Sequence, residues 1–200
     1  MQRENQIHRK IVAITGNLCS GKSFILELLR QRGYPVFNYD AEVKKLYGDQ
    51  EVITKVKQHF PEAIKEGKVN TKILGDIVFF NKEKLKNLEL ILATKLSQKR
   101  GEFIKNAEEN VVMFFEVPLL FEKKSEDLYD FIILLTVPAA TQEKRFKIRK
   151  IAIEKAKKII DNQIKPEQIK NRVDYIIDTD KSLSDINKDI DHIIYIVNGL

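Results

Sequence analysis

The chain has 200 residues, 43% of them hydrophobic and 32% charged, with a formal net charge of +6. That balance describes one domain, or one core with insertions, able to bury a substantial apolar centre, and it excludes a disordered or low-complexity chain. The absence of Trp and the scarcity of Gly and Pro argue against a β-sandwich, and the single cysteine, Cys19, excludes an internal disulfide framework and suits a reducing compartment.

Met1 to His8 is polar, with no hydrophobic stretch behind a basic start, so it reads as a frayed extension and not a secretory signal. No apolar run approaches the ~18 residues needed to span a bilayer, and a cytoplasmic protein is expected. Lys10 to Thr15 (KIVAIT) is a short β-branched run, read as a strand. Gly16-Asn17-Leu18-Cys19-Ser20-Gly21-Lys22-Ser23 follows it, and then Phe24, Ile25, Leu28 and Leu29 recur at helical spacing up to Gly33, a plausible C-terminal cap. Pro35 to Tyr39 reads as a second strand ending at Asp40. Strand, glycine-rich turn, helix, strand is the opening unit of a parallel α/β sheet.

From Ala41 to about Asn110 the pattern is helical, with Ile53, Val56 and Phe60 on one stripe and Leu85, Leu88, Leu92 and Leu96 on another. Strands return at Val111 to Phe115 and Phe131 to Val137, both nearly continuous apolar runs that suit strands covered on both faces. A basic helical segment follows. Thr141 to Lys158 holds eight basic and two acidic residues, so the net charge of the whole chain sits there and the rest is near neutral. Tyr175 to Ile177 is a last short strand, and a helix from about Ser184 closes the chain, with Ser182 and Asp185 as a capping box. The expected architecture is α/β. Its five-stranded parallel sheet is flanked by helices, with a core at 1–40, 109–140 and 170–200, a helical insertion at 41–108 and a basic helical segment at 141–169.

Gly-x-x-x-x-Gly-Lys-Ser arises by chance in roughly one chain in a hundred of this length, and its place between a strand and a helix lowers that further. Gly16 and Gly21 permit positive φ and close approach of the backbone. The N–H groups of Asn17, Leu18, Cys19, Ser20, Gly21, Lys22, Ser23 and Phe24 can then converge on one anion at a helix N-terminus. Lys22 reaches the β- and γ-phosphates and the Ser23 hydroxyl ligates Mg²⁺, so ATP with Mg²⁺ is the expected ligand. Cys19 occupies a variable slot of the loop and reads as a filler with incidental sensitivity to thiol reagents. His8, His59 and His192 are scattered and have no metal-ligand spacing.

Asn81-Lys82-Glu83-Lys84 approaches the guanine-specificity element of GTPases, but Lys84 stands where Asp belongs, in a helical block. A small phosphotransferase with an α/β P-loop kinase fold remains, with 1–40, 109–140 and 170–200 as its nucleotide-binding core, the insertion at 41–108 for the acceptor and the basic segment at 141–169 as a lid for the donor. Asp40, at the carboxyl end of the second strand, can take the proton of an attacking hydroxyl, or it can merely cap the helix that begins at Ala41. Arg145 and Arg149, one turn apart, can close over a triphosphate, or the basic segment can be a solvated face.

The residues then resemble one family. The phosphate loop followed by Val36-Phe37-Asn38-Tyr39-Asp40 resembles the Val-Ile-Asp-Ala-Asp segment of dephospho-coenzyme A kinases. Ile77-Val78-Phe79, Leu88-Glu89-x-Ile91-Leu92, and above all Glu116-Val117-Pro118-Leu119-Leu120-Phe121-Glu122 resemble family segments in the same order. Gln142-x-x-Arg145-x-x-x-Arg149 resembles the family's lid, and Gln163 and Asp174 to Asp178 its closing segment. The resemblance covers about residues 10 to 197 and implies phosphoryl transfer from ATP to the ribose 3′-hydroxyl of dephospho-CoA. It implies Asp40 as base with Lys22 in the catalytic site, Gly16 to Phe24, Arg145 and Arg149 on ATP, and Asp40, Pro118, Leu119 and Leu120 on the acceptor. The Pro118 to Leu120 stretch can equally be apolar for packing alone. Departures are Asn38 for the first Asp of the segment, Asn70-Thr71 for an Asp-Arg pair, Ala93-Thr94 for His-Pro, and Ile159 for an Arg before Gln163. The expected partners are the two small-molecule substrates, with no nucleic acid and no membrane, acting on a monomer. Another small-molecule or nucleotide kinase, and a non-catalytic ATP-binding module, are the alternatives.

Overall fold

The structure, a computed structural model, describes residues 9–79, 81–109 and 111–199, so the expected extension at Met1 to His8 lies outside the described residues. In chain order the elements are β1 (Lys10–Thr15), α1 (Lys22–Gln31), β2 (Val36–Asn38), α2 (Tyr39–Leu46), α3 (Gln50–His59), β3 (Ile64–Lys65), β4 (Lys68–Val69), α4 (Thr71–Phe79) and α5 (Lys82–Asn106). They continue with β5 (Val112–Glu116), β6 (Phe131–Thr136), α6 (Ala139–Ile148), α7 (Ile153–Asp161), α8 (Pro166–Ile169), β7 (Tyr175–Asp178) and α9 (Leu183–Gly199). The chain divides into two compact units, Met1–Phe37 with Ala107–Leu200, and Asn38–Asn106.

The first unit is built on a five-stranded parallel sheet in the order β2-β5-β1-β6-β7. β1 is central, with Ile14 opposite Glu116 of β5 and Thr15 opposite Leu134 of β6. Alternation along the strands sorts their side chains between two cores. Val12, Ile14, Phe131, Ile133 and Leu135 join Ile25, Leu26 and Leu29 of α1 and Ile186, Ile190, Ile193 and Val197 of α9. Ala13, Ile132 and Leu134 join Leu120, Phe121 and Ile169 in the second core. Both faces being covered explains the continuous apolar strands.

Helix ends follow from local chemistry. α1 stops in a paired turn in which Tyr34 N–H donates to Leu29 O and Gly33 N–H to Arg30 O, with Gly33 in the left-handed region. Ser182 Oγ accepts from Asp185 N–H at the start of α9, as the capping box requires.

The second unit has its own core of Leu46, Val52, Val56, Phe60, Leu74, Leu88, Ile91 and Leu92. The Asp49 carboxylate caps α3, and Lys95 of α5 bridges to Glu51, whose carboxyl is lowered to about 2 by Lys55 and Lys95. The unit is not wholly helical, since β3 and β4 form a two-stranded hairpin around Glu66 and Gly67, both at positive φ. Asn81 Oδ1 accepts from Lys84 N–H, so the GTPase-like tetrapeptide is a helix cap.

Two elements differ from expectation. The second strand ends at Asn38, not Asp40, because the Asn38 side chain accepts from Ala41 N–H and starts α2 at Tyr39. The basic helical segment is interrupted: Ile151 N–H returns to Phe146 O and Lys150 N–H to Lys147 O, which closes α6 and leaves α7 as a separate helix. This is the geometry that ends α1, with Lys150 instead of glycine in the left-handed position, at φ 54. A side chain there costs about 1 kcal/mol. We therefore expect Lys150→Gly to raise Tm by ~2–4 °C and Lys150→Ala to leave it unchanged, as read by calorimetry.

Candidate active site

The phosphate loop leaves the carboxyl end of β1 and enters α1. Ser20 N–H bonds Asn17 O at 3.1 Å, and Phe24 and Ile25 N–H both turn back to Gly21 O at 3.0 and 3.1 Å. The loop needs glycine twice. A Cβ on Gly16 would lie 2.5 Å from Leu135 O and 2.7 Å from Ser20 Oγ, and one on Gly21 would meet the Thr179 side chain at 3.0 Å. Gly16 stands at φ 146 and Gly21 at φ 97. Lys22 arches over the loop, donating from Nζ to Gly16 O at 2.6 Å and Asn17 O at 3.1 Å. Ser23 and Phe24 are exposed in the first turn of α1, and the buried Ser20 hydroxyl lacks a hydrogen-bond partner.

The basic segment reaches this loop by three routes. Gln142 Nε2 donates to Leu18 O at 2.6 Å and Leu18 N–H donates to Gln163 Oε1 at 3.0 Å, so two glutamines hold one residue by both backbone groups. Cys19, Phe146 of α6 and Ala156 of α7 form a small buried cluster with Leu18, Ile151 and Ile160 around it. Cys19 is therefore a packing residue, 5% exposed, rather than a mere filler of the loop. Arg145 donates to Cys19 O at 3.1 Å and to Thr179 Oγ1 and O at 2.8 Å each.

Cys19, Gly21, Phe24, Arg145, Arg149 and Thr179 line one cleft of about 400 Å³. Ile148, Leu183 and Ile186 add an apolar wall, and Lys181 adds a further cation whose pKa is raised by its hydrogen bond to Asp189. An apolar wall beside a basic rim and a loop of backbone N–H groups suits a base joined to a polyphosphate. Arg149, the residue that ends α6, is exposed, whereas Arg145 is fixed.

Glu116, at the end of β5 opposite Ile14, is a buried carboxylate, 4% exposed, on the strand next to the loop. Among the described residues no group of three or more His, Cys, Asp or Glu could hold a metal ion by itself. Leu120 is fully buried in the second core, so packing accounts for it, while Pro118 is half-buried and Leu119 exposed. Asp40, in the second unit, is exposed as the second residue of α2. Asn38 holds the cap of that helix, which removes capping as the reason for a carboxylate at position 40. Thr179, Gln142 and Gln163 did not stand out in the sequence as site residues by their own chemistry. The two glutamines carried a signal only as parts of the family resemblance, and Thr179 carried none.

The sequence profile of a family described as dephospho-CoA kinase matches residues 10–185. A dephospho-CoA kinase of Bartonella quintana is 34% identical over 188 residues, covering 92% of this chain and 96% of the relative. A Thermus thermophilus protein of known crystal structure superposes with a TM-score of 0.85 at 30% identity, over 94% of this chain and 97% of that one. The dephospho-CoA kinase of Campylobacter jejuni superposes with a TM-score of 0.65 at 27% identity, again over 94% and 97%.

Proposed function

Because the chain belongs to the dephospho-CoA kinase family and is an ATP-dependent kinase, we propose that it transfers the γ-phosphoryl group of ATP to the ribose 3′-hydroxyl of dephospho-CoA. The products are CoA and ADP, and the reaction closes CoA biosynthesis. The observation that carries this reading is the phosphate loop opening into a cleft that pairs an apolar wall with Arg145, Arg149 and Lys181.

ATP is held by the backbone of Gly16 to Phe24, with Lys22 leaving its loop carbonyls for the β- and γ-phosphates. The exposed Ser23 hydroxyl would hold Mg²⁺, which when bound would neutralise charge on the nucleotide's phosphates. Asp40 accepts the proton of the 3′-hydroxyl as its oxygen bonds to the γ-phosphorus, and the bond from that phosphorus to the bridging oxygen breaks to release ADP. Arg149 and Lys22 stabilise the charge that develops on the transferring group. Residues 41–108 hold the acceptor, with Pro118 and Leu119 contributing surface over the packed Leu120, and 141–169 act as the lid. No described helix is long and apolar enough to cross a membrane.

The test supplies ATP, Mg²⁺ and dephospho-CoA and measures CoA. Turnover by the wild type is expected, with a loss of about 10²-fold or more in Lys22→Ala. Phosphorylation of a nucleoside or sugar without any of dephospho-CoA would overturn the acceptor.

A further inference from the structure

We propose that Thr179, the residue after β7, is the positioning residue of the nucleotide cleft, presetting Arg145 and tying it to the phosphate loop. The inference rests on Arg145 being a nucleotide contact. Thr179 is 5% exposed, and its N–H extends the sheet ladder by donating to Thr136 O at 3.0 Å, so its backbone is fixed by the core. Its carbonyl accepts from Arg145 Nη2 and its hydroxyl from Arg145 Nη1, both at 2.8 Å.

A hydroxyl has one proton to give. Two carbonyls lie within reach of it, Ser20 O of the phosphate loop at 2.8 Å and Thr136 O at 3.2 Å. The shorter contact takes the proton into the loop. One side chain thus joins the lid arginine, the phosphate loop and the end of the sheet. The fit is close, because a Cβ on Gly21 would stand 3.0 Å from Thr179 Cβ, Cγ2 and Oγ1 alike.

The consequence is pre-organisation. An arginine free in solvent surrenders its rotamer freedom when the nucleotide arrives, whereas one fixed by Thr179 and Cys19 O has already done so. Closing movements of the basic segment are then carried by Arg149 and the residues after it, with Arg145 as the fixed end.

Two variants separate this role from packing. Thr179→Val keeps the shape and deletes the hydroxyl, and Thr179→Ser keeps the hydroxyl and deletes the methyl group. Calorimetric titration with Mg²⁺-ADP gives Kd without turnover, and steady-state kinetics give KM for each substrate. Thr179→Val is expected to raise the ADP Kd and the ATP KM about tenfold, since the hydrogen bond from the charged Arg145 Nη1 to the hydroxyl is lost. The KM for dephospho-CoA and kcat should stay within about threefold of wild type, and Thr179→Ser should match wild type within the same factor. In the Arg145→Ala background Thr179→Val should cost less than it does in the wild type, because the two are coupled through a shared hydrogen bond.

An unchanged ADP Kd in Thr179→Val, an equal loss in Thr179→Ser, or additive losses with Arg145→Ala would each overturn the proposal. A wild type that fails to bind ADP would remove the nucleotide reading itself. A wild type that binds ADP but makes no CoA would remove only the acceptor, and the ADP titration would still decide Thr179.

Discussion

Asp40→Asn lowers kcat for CoA formation by roughly two to four orders of magnitude and leaves the KM for ATP within about twofold. The substitution keeps the size and the polarity of the side chain, and removes its negative charge and with it the ability to accept a proton. The two structural roles open to a carboxylate in this segment are small or already filled. The α2 cap belongs to Asn38, whose Oδ1 accepts from Ala41 N–H at 2.8 Å. A charge in the first turn of a short helix contributes about 0.3–1 kcal/mol through the dipole, a shift of no more than ~4 °C in Tm for a chain of this size. Activity should therefore collapse while thermal unfolding barely moves. Asn38→Ala reverses the pattern and costs about 1 kcal/mol of stability through the lost cap. Equal turnover by wild type and Asp40→Asn would remove the base and leave the family membership untouched.

The same neighbourhood marks how far a sequence can be read. Strand, phosphate loop and helix were legible together because each is written locally, in a β-branched run, two glycines at fixed spacing and a 3.6-residue apolar period. The paired faces of the sheet were legible for the same reason, since Val112 to Phe115 of β5 and Phe131 to Leu135 of β6 are apolar without a break. Asp40 was legible as a base or a cap from its place at a strand end, while the family resemblance chose between those roles and added the loop after β5, which no local rule assigns. What stayed hidden was set by partners distant in sequence. The strand order places β5 between β2 and β1, and nothing in Val112 to Glu116 specifies its neighbours. The hairpin of β3 and β4 is two residues per strand, too short for any alternation to register, and its signal reduces to Gly67 after Glu66. The break after α6 was missed because lysine occupies the position where glycine announces a helix end.

The candidate site divides along the same line. Its cations and its loop were visible as residue types. The groups that hold them were not, because Gln142, Gln163 and Thr179 act on backbone atoms up to 159 positions away in the chain. Cys19 is the clearest instance. Its slot in the motif has no required identity, yet it stands at φ 61 and packs against Phe146 and Ala156, so the lid helices determine what fits there.

Gly16→Ala should be the most damaging single-methyl change in the chain, and its size follows from where the methyl would go. At Gly16 the added Cβ meets a backbone oxygen, Leu135 O, at 2.5 Å, and Ser20 Oγ at 2.7 Å, on a backbone at φ 146. The oxygen belongs to β6, which is hydrogen-bonded to β1 on one side and β7 on the other, so it cannot yield without moving the centre of the sheet. Overpacking and backbone strain together cost about 2–6 kcal/mol, a fall in Tm of ~5–20 °C. Gly21→Ala meets the Thr179 side chain at 3.0 Å, which can give by a few tenths of an ångström, and should cost less. Gly33→Ala meets nothing within 4 Å and carries only the strain of its φ of 84, about 1 kcal/mol. The order Gly16, Gly21, Gly33 in thermal unfolding is the measurement, and a Gly16 variant as mild as the Gly33 one would overturn the steric account. ADP binding should be lost with the first two variants and retained with the third, because Gly33 lies at the far end of α1 from the phosphate loop.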